Sequence, residues 1–336
     1  MQFGPVATRD SAGLIAAHTV RAEGASLKKG RPIPPEEALR LAESGIPEIL
    51  AVRLDPGDVG EDEAAARLAH HLAGEGLRPE APFTGRCNLF AEAAGVFVAE
   101  PAGIDAVNAV DEAITVATLP AFRPVAAGEM VATVKIIPYA VAAAPLERAL
   151  GAVAAPPMRL VPYRLARVGV VSTLLPGLKP ATVAKTLRVL ADRLAPTGAQ
   201  IVTEIRVRHE AGAVAAAIAG AVAEGADLVV VFGASAIADR RDVIPAGLEA
   251  AGGRVEQFGM PVDPGNLLLL GALGAVPVIG APGCARSPKE NGFDFVLHRL
   301  LAGLAVTRAD IVRLGVGGLL TEIPLRGQPR SGGDGV

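Results

Sequence analysis

The second half of the chain alternates between short apolar runs and longer amphipathic stretches. The strongly apolar stretches at 168–171, 227–232 (in which only Asp227 is charged) and 276–279 are typical of buried strands. We predict helices at 181–194, 211–224, 243–251 and 293–302, and further strands at 200–207 and 255–260. Strands that alternate with helices imply right-handed crossovers and a sheet covered on both faces. The pattern therefore predicts an α/β fold with a C-terminal three-layer αβα domain and a mostly parallel sheet.

The first half of the chain has shorter and more varied elements. Residues 34–37, Pro-Pro-Glu-Glu, begin a helix, because proline suits the first helical turn and acidic side chains favour its positive end. A second helix at 62–72 places Leu68 and Leu72 on one face. Strand candidates bounded by Gly and Pro follow at 96–98, 114–117 and 130–137. These elements predict a small α+β region followed by a β-rich region.

The length of the chain, 336 residues, exceeds what one hydrophobic core usually serves. No internal repeat is evident. We predict a small α+β domain at 1–76, a β-rich domain at 77–162, an α/β domain at 163–306, and a C-terminal strand and tail at 307–336.

Composition and charge exclude several classes of function. The net charge of −3 and the 3% aromatic content argue against nucleic-acid binding, which needs basic surface or stacking side chains. The N-terminus does not resemble a signal peptide, and the apolar stretch at 211–223 is too short to span a bilayer. Cys87 and Cys284 lie too far apart for a zinc motif. We therefore expect a soluble cytoplasmic protein without a membrane partner.

Small, hydroxyl-bearing and basic residues follow three of the predicted strands, at the edge where open parallel sheets bind ligands. The candidate binding residues are Thr173 and Lys179 in the first loop, Gly233, Ala234, Ser235 and Arg241 in the second, and Pro282, Gly283, Arg286, Ser287 and Lys289 in the third. Small residues let main-chain N–H groups approach phosphate oxygens, and basic side chains complement the negative charge. The three loops together predict a site for a phosphate-bearing small molecule.

Two acidic residues, Asp239 and Asp242, lie in the second loop. Mg²⁺ usually takes one or two protein carboxylates together with substrate phosphates, so both are candidate metal ligands and catalytic residues. The alternative is that Asp242 caps the following helix, at whose start Arg240 and Arg241 are simply solvated. The sequence leaves both interpretations open.

The residues at this edge resemble a known family. Residues 227–235, DLVVVFGAS, and 240–245, RRDVIP, resemble the strand, Gly-rich turn and "RDV(T/I)P" helix start of the molybdopterin-binding domain of molybdenum cofactor biosynthesis proteins. Residues 280–283, GAPG, are similar to the family's "GLPGNP" loop, and 264–266, PGN, lie like its "kPG" turn. The resemblance covers roughly 167–306. Residues 24–30 and 44–49 are more faintly similar to the regions that precede this domain in the larger, molybdenum-inserting members.

The resemblance implies a role in molybdenum cofactor biosynthesis, with molybdopterin or its nucleotide or molybdenum form as substrate or ligand. It implies a transferase that uses ATP, molybdate and magnesium, with Asp242 and Asp239 in catalysis. Gly233, Ala234 and Ser235 would line the pterin phosphate, with Pro282 and Gly283 on the opposite wall. The family also implies a homo-oligomer and other cofactor-biosynthesis proteins as partners.

The sequence departs from the family in three places. Ala234 stands where the family's "GGTG" turn has its second Gly, and the turn is one residue longer. Residues 173–176, TLLP, stand where the molybdenum-inserting class has an acidic "TGDE"-like group, and 284–286, CAR, replace the family's "GNP". Lys179, Arg286 and Lys289 add positive charge instead. These departures favour an alternative, a non-catalytic carrier that hands the cofactor to a nucleotidyltransferase or a target enzyme. A third hypothesis, an unrelated phosphometabolite enzyme, stays open because fold does not fix function.

Overall fold

The computed structural model describes residues 1–177 and 179–320. Its internal contacts divide the chain into two compact units. The first comprises Met1–Ala93 and Phe97–Val161, and the second comprises Ala94–Val96 and the described residues from Pro162 onward. Most of the predicted C-terminal segment at 307–336 lies outside the described residues, as does Leu178.

The first unit combines four helices with small sheets. Its elements are β1 (Gln2–Ala7), β2 (Ile15–Ala16), β3 (Val20–Ala22), β4 (Ala25–Leu27), α1 (Pro35–Glu43), β5 (Glu48–Arg53), β6 (Asp58–Gly60), α2 (Glu61–Leu72), β7 (Leu77–Pro79), β8 (Arg86–Ala91), β9 (Gly95–Ala99), α3 (Pro101–Asn108), β10 (Ile114–Thr118), β11 (Arg123–Val125), β12 (Met130–Ile136), β13 (Ala140–Ala142), α4 (Ala143–Gly151) and β14 (Met158–Pro162). The strands are ordered β1-β5-β2, β10-β12-β8-β7 and β11-β9-β14, with two-stranded ribbons β13-β6 and β3-β4.

Helix α2 shows how the sequence produces this unit. Three acidic residues occupy its first turn, where the helix dipole favours negative charge. Leu68 and Leu72 on its apolar face are fully buried and belong to the same core as Leu89 of β8 and Val134 of β12. The predicted helices and strands of this half are therefore present, although strands β1, β2, β3, β6, β7, β8, β11, β13 and β14 and helices α3 and α4 are additional.

The second unit is a six-stranded sheet flanked by helices. Its elements are β15 (Arg167–Leu174), α5 (Pro180–Leu194), β16 (Gln200–Arg208), α6 (Ala211–Ala223), β17 (Leu228–Phe232), α7 (Val243–Ala250), β18 (Arg254–Phe258), β19 (Leu269–Leu273), β20 (Val276–Ala281), α8 (Gly292–Leu301) and α9 (Arg308–Val312). The strand order is β16-β15-β17-β20-β19-β18. Strands β15, β16, β17 and β20 are parallel, and β19 is antiparallel to both of its neighbours. The predicted α/β fold with a mostly parallel sheet is confirmed.

The layering follows from the alternation of side chains along β17. Val230 and Phe232 join a core with residues of α5 and α8, whereas Val229 and Val231 join a second core with residues of α6 and α7. All four are almost fully buried, and burying such a side chain is worth about 1.5–3 kcal/mol. The sheet is thus covered on both faces, and ligands can reach it only at its edges. Among the described residues, no helix has the length and apolar composition needed to cross a membrane.

Candidate functional site

A cavity of about 230 Å³ lies at the carboxyl ends of β15 and β17. Its lining residues are Ser172, Thr173, Thr182, Val183, Thr186, Phe232, Ala234 and Arg286. They come from β15, the first turns of α5, the end of β17 and the short helical turn after β20. The sheet therefore brings the three loops selected from the sequence to one edge, and residues from each of them line one cavity.

Ser172 is the polar group in this cavity that lacks a partner. It lies on β15, is 3% exposed, and its Oγ has no hydrogen-bond partner among the described residues. A buried hydroxyl without a partner costs about 1–3 kcal/mol of folding free energy. Because Ser172 is also a lining residue of the cavity, a bound molecule that hydrogen-bonds to its hydroxyl would offset this cost.

Arg286 supplies the positive charge of the cavity. Its Nη2 donates a 2.7 Å hydrogen bond to the carbonyl oxygen of Gly233, and its guanidinium carbon lies 5.7 Å from the centre of the Phe232 ring. Burial lowers the pKa of Arg286 from its ordinary value, although arginine stays charged at neutral pH. A half-buried guanidinium with one N–H group engaged retains further donors for an anion.

Gly233 is required by the turn that follows β17. A Cβ atom at this position would lie 2.6 Å from Cδ1 of Ile244 and 2.7 Å from the carbonyl oxygen of Ser235. The next residue, Ala234, donates its main-chain N–H to Oγ1 of Thr173 at 2.7 Å. The side chain of Thr173, a predicted ligand-binding residue, therefore connects the end of β15 to the turn after β17.

His209 extends this connection to β16, and the sequence analysis did not select it. Its Nδ1 lies 2.8 Å from Oγ1 of Thr173, and its Nε2 lies 2.9 Å from Oγ of Ser235. One histidine thus links two predicted site residues. His209 follows β16 immediately. This place after a parallel strand was the one feature of the sequence that indicated a role in the site.

Arg193 of α5 is a further residue that the sequence analysis missed. Its side chain is 8% exposed, and its Nε donates to Oδ1 of Asp294 at 2.6 Å. Its remaining N–H groups donate to the carbonyl oxygens of Ala285, Ser287 and Lys289, at 3.0, 2.6 and 3.1 Å. Arg193 therefore fixes the main chain of the loop that carries Arg286.

The two acidic candidates do not line the cavity. Asp242 is the N-cap of α7, and its carboxylate accepts from the main-chain N–H groups of Ala238 and Val243 at 3.0 and 2.7 Å. Asp239 is exposed and pairs with Arg241 at 2.9 Å, and this hydrogen bond lowers the pKa of Asp239. The contacts of Asp242 are therefore those of a helix cap.

The described residues contain no group of three or more His, Cys, Asp or Glu side chains that could hold a metal ion. Asp239 and Asp242 are both engaged with main-chain N–H groups or a guanidinium, and neither lines the cavity. A Mg²⁺ ion at these carboxylates stays a prediction.

The remaining predicted residues lie around the cavity without lining it. Lys179 is the exposed N-cap of α5, and Lys289 is exposed. Ser287 accepts from the main-chain N–H of Lys289 at 3.3 Å. Pro282 and Gly283 begin the helical turn that carries Arg286, Pro282 being buried and Gly283 exposed. Their direct contact with a ligand stays a prediction.

Comparisons with known proteins give matches only among solved structures. No protein-family model matches the chain, and no curated protein matches it. A molybdopterin biosynthesis MoeA protein from Pyrococcus horikosii is 16% identical over 90% of this chain and 75% of its own, with a TM-score of 0.32. The molybdopterin biosynthesis Mog protein from Mycobacterium ulcerans is 17% identical over 42% of this chain and 100% of its own, with a TM-score of 0.28.

A third match is the protein CinA, of unknown function, from Thermoplasma acidophilum. It is 18% identical over 38% of this chain and 91% of its own, with a TM-score of 0.31. Identities and TM-scores this low carry no argument about activity or ligand. The functional proposal therefore rests on the geometry of the site and on the sequence motifs at its edge.

Proposed function

We propose that the cavity at the carboxyl ends of β15 and β17 binds the phosphate group of molybdopterin or of a nucleotide or molybdenum form of it, and that the protein acts in molybdenum cofactor biosynthesis. The observation that carries the proposal is the buried Ser172 hydroxyl, which lacks a partner among the described residues and lines a cavity that also holds Arg286. A phosphate oxygen accepts from hydroxyl and guanidinium donors alike. The inference that the bound molecule is a pterin rests on the sequence motifs.

The chemistry of the lining favours binding over group transfer. The described lining residues contribute hydroxyl groups and one guanidinium and include no carboxylate. Adenylyl or molybdenum transfer with a magnesium ion calls for carboxylates close to the phosphates. Asp239 and Asp242 are engaged elsewhere, in an ion pair and a helix cap. The proposed role is therefore that of a carrier that presents the cofactor to another protein.

Several parts of the hypothesis stay predictions. These are adenylyl transfer, molybdenum insertion, the use of ATP and molybdate, the magnesium requirement, the homo-oligomer, the partner proteins and the cytoplasmic location. Asp242 already accepts a main-chain hydrogen bond on each carboxylate oxygen, so a catalytic role would use the remaining lone pairs.

Binding of purified molybdopterin tests the proposal. We expect saturable binding to the full chain that Ser172→Ala weakens and that the matched control Ser26→Ala, an exposed serine, leaves unchanged. Mixing the complex with Mg-ATP or with molybdate, and analysing the products by mass spectrometry, separates a carrier from a transferase. Equal affinity in wild type and Ser172→Ala would refute the assignment of the cavity, and product formation that Asp242→Ala abolishes would refute the carrier role.

A further inference from the structure

Strand β16 forms one edge of the six-stranded sheet, and among the described residues β15 is the only strand that pairs with it. It is nine residues long, contains neither proline nor lysine, and exposes every second residue to solvent. An unpaired edge strand is a template for a further strand, and proteins usually shorten, cover or interrupt such edges. At the opposite edge, β18 has five residues, and Arg308 of α9 donates to the side chain of Gln257 at 2.7 Å. Strand β16 is therefore the longer and more accessible of the two edges.

The direction of the main-chain groups shows which residues of β16 are available for pairing. The N–H of His209, directly after β16, donates to the carbonyl oxygen of Leu174 on β15 at 3.1 Å. Because these groups alternate in direction along a strand, the N–H and C=O groups of Glu204 and Arg206 point away from β15. A shift in register between Ile201 and Thr203 interrupts the regular pairing with β15. The regular part of the free edge is thus 203–207.

Glu204 and Arg206 make this edge complementary to itself. Within one chain they pair with each other, Nε of Arg206 donating to Oε1 of Glu204 at 2.6 Å, and their side chains are 44% and 24% exposed. If two copies of β16 run antiparallel with Ile205 opposite itself, each Glu204 lies opposite Arg206 of the second copy. A shift of two residues would place Glu204 opposite Glu204 or Arg206 opposite Arg206, and like charges directly across a strand pair are destabilising.

The other face of the same stretch adds apolar contacts in this register. Ile205 and Val207 are half-buried against the core that the sheet forms with α6 and α7. Ile205 would meet Ile205 of the second copy, and Thr203 would meet Val207. Such β-branched side chains suit a half-buried pleated surface, so pairing would cover the part of them that solvent now reaches.

We propose that β16 is a self-association surface, at which two copies of the chain pair antiparallel through residues 203–207 about Ile205. The two six-stranded sheets then join into one continuous sheet. Five residues from each chain are fewer than the about 20–30 a side of a stable interface, so the association is weak and depends on protein concentration. It is independent of the proposed function, since no residue of 203–207 lines the cavity beside Ser172.

Sedimentation equilibrium of the full chain between about 5 µM and about 300 µM tests the proposal. We expect wild type to self-associate, and Glu204→Arg or Arg206→Glu alone to weaken this association about tenfold or more, because both cross-strand pairs become repulsive. The double variant E204R/R206E restores opposite charges across the pair and should recover the wild-type association. An equimolar mixture of the two single variants should associate as well, since one supplies only positive and the other only negative charges.

Glu249→Arg is the matched control, since Glu249 is exposed on α7 in the same unit, and it should associate like wild type. Amide hydrogen exchange at Glu204 and Arg206 should be slower at the higher protein concentration, because pairing protects their N–H groups. A wild-type chain that stays monomeric throughout, or associates no more strongly than Glu204→Arg, would overturn the proposal. Association that the single variants lose and the double variant does not recover would overturn the antiparallel register about Ile205.

Discussion

The guanidinium of Arg286 donates a 2.7 Å hydrogen bond to the carbonyl oxygen of Gly233. This contact joins the turn after β20 to the turn after β17 and holds the guanidinium of Arg286 in place. Thr173 makes the corresponding connection between β15 and β17 through the N–H of Ala234. The anion site is thus built from contacts between strand ends that are distant in sequence.

Replacing Arg286 by alanine should weaken binding of a phosphate monoester about tenfold or more, because a charge-assisted hydrogen bond is worth about 1.5–3 kcal/mol. Lysine at this position should restore only part of the affinity, since a single ammonium group replaces a planar fork of donors. Arg240→Ala removes the same charge from an exposed position outside the cavity and serves as the control. Isothermal titration of the three variants measures the effect.

Substituting Gly233 by alanine should destabilise the protein by about 1–3 kcal/mol, because the added methyl group would collide with Ile244 and with the main chain of Ser235. Gly283→Ala is the matched control, since nothing lies within 4 Å of the added Cβ there. Urea unfolding gives the free energy of unfolding of both variants. Similar values for the two would show that the turn after β17 adapts freely.

Loss of the Arg193 side chain should cost about 3–5 kcal/mol of folding free energy, because Asp294 would be left as a buried charge without its partner. Arg188→Ala, at an exposed position on the same helix, should change it by less than about 0.5 kcal/mol. Urea unfolding separates the two variants. We also expect Arg193→Ala to weaken anion binding, since Arg193 fixes the main chain of the loop that carries Arg286. Unchanged binding would show that this loop holds its shape without Arg193.

Stability should fall between about pH 7 and pH 5 in part because of His298. Its Nδ1 lies 2.8 Å from the Tyr163 hydroxyl, and burial lowers its pKa, although the charge of Asp294 opposes that shift. The unfolded state, with the ordinary histidine pKa of about 6.5, binds the proton more readily, so stability is lost as the pH falls through this value. His298→Gln should reduce the pH dependence of the free energy of unfolding. His70→Gln should leave it unchanged.

The sequence predicted the sheet well because the strands of its centre are continuous apolar runs. Residues 228–232 are all buried, so the run of apolar side chains was enough to predict the strand. Strand β19 (Leu269–Leu273) was not predicted, although it begins within a run of four leucines at 267–270. Its place between β18 and β20 is set by antiparallel pairing, which local sequence does not encode.

The site could be predicted where its polar and basic residues directly follow the ends of strands. Thr173, Ala234 and Arg286 line the cavity as residues of the predicted loops. Ser172 was missed because it lies inside β15 rather than after it, and its missing partner is visible only in three dimensions. His209 and Arg193 were missed because their roles depend on contacts with loops far away in the chain. The sequence also offered two interpretations of Asp242, and only the contacts of its carboxylate distinguish them.

The central claim, that the cavity at the carboxyl ends of β15 and β17 holds a phosphate group, is tested most directly by a crystal structure of the full chain with molybdopterin. We expect the phosphate to lie within hydrogen-bonding distance of Oγ of Ser172 and the guanidinium of Arg286. The second unit has a larger cavity of about 480 Å³, lined by residues that include Asp227, Arg254 and Thr307, to which none of these phosphate-binding groups contributes. A ligand bound there, with the cavity beside Ser172 left to solvent, would contradict the claim.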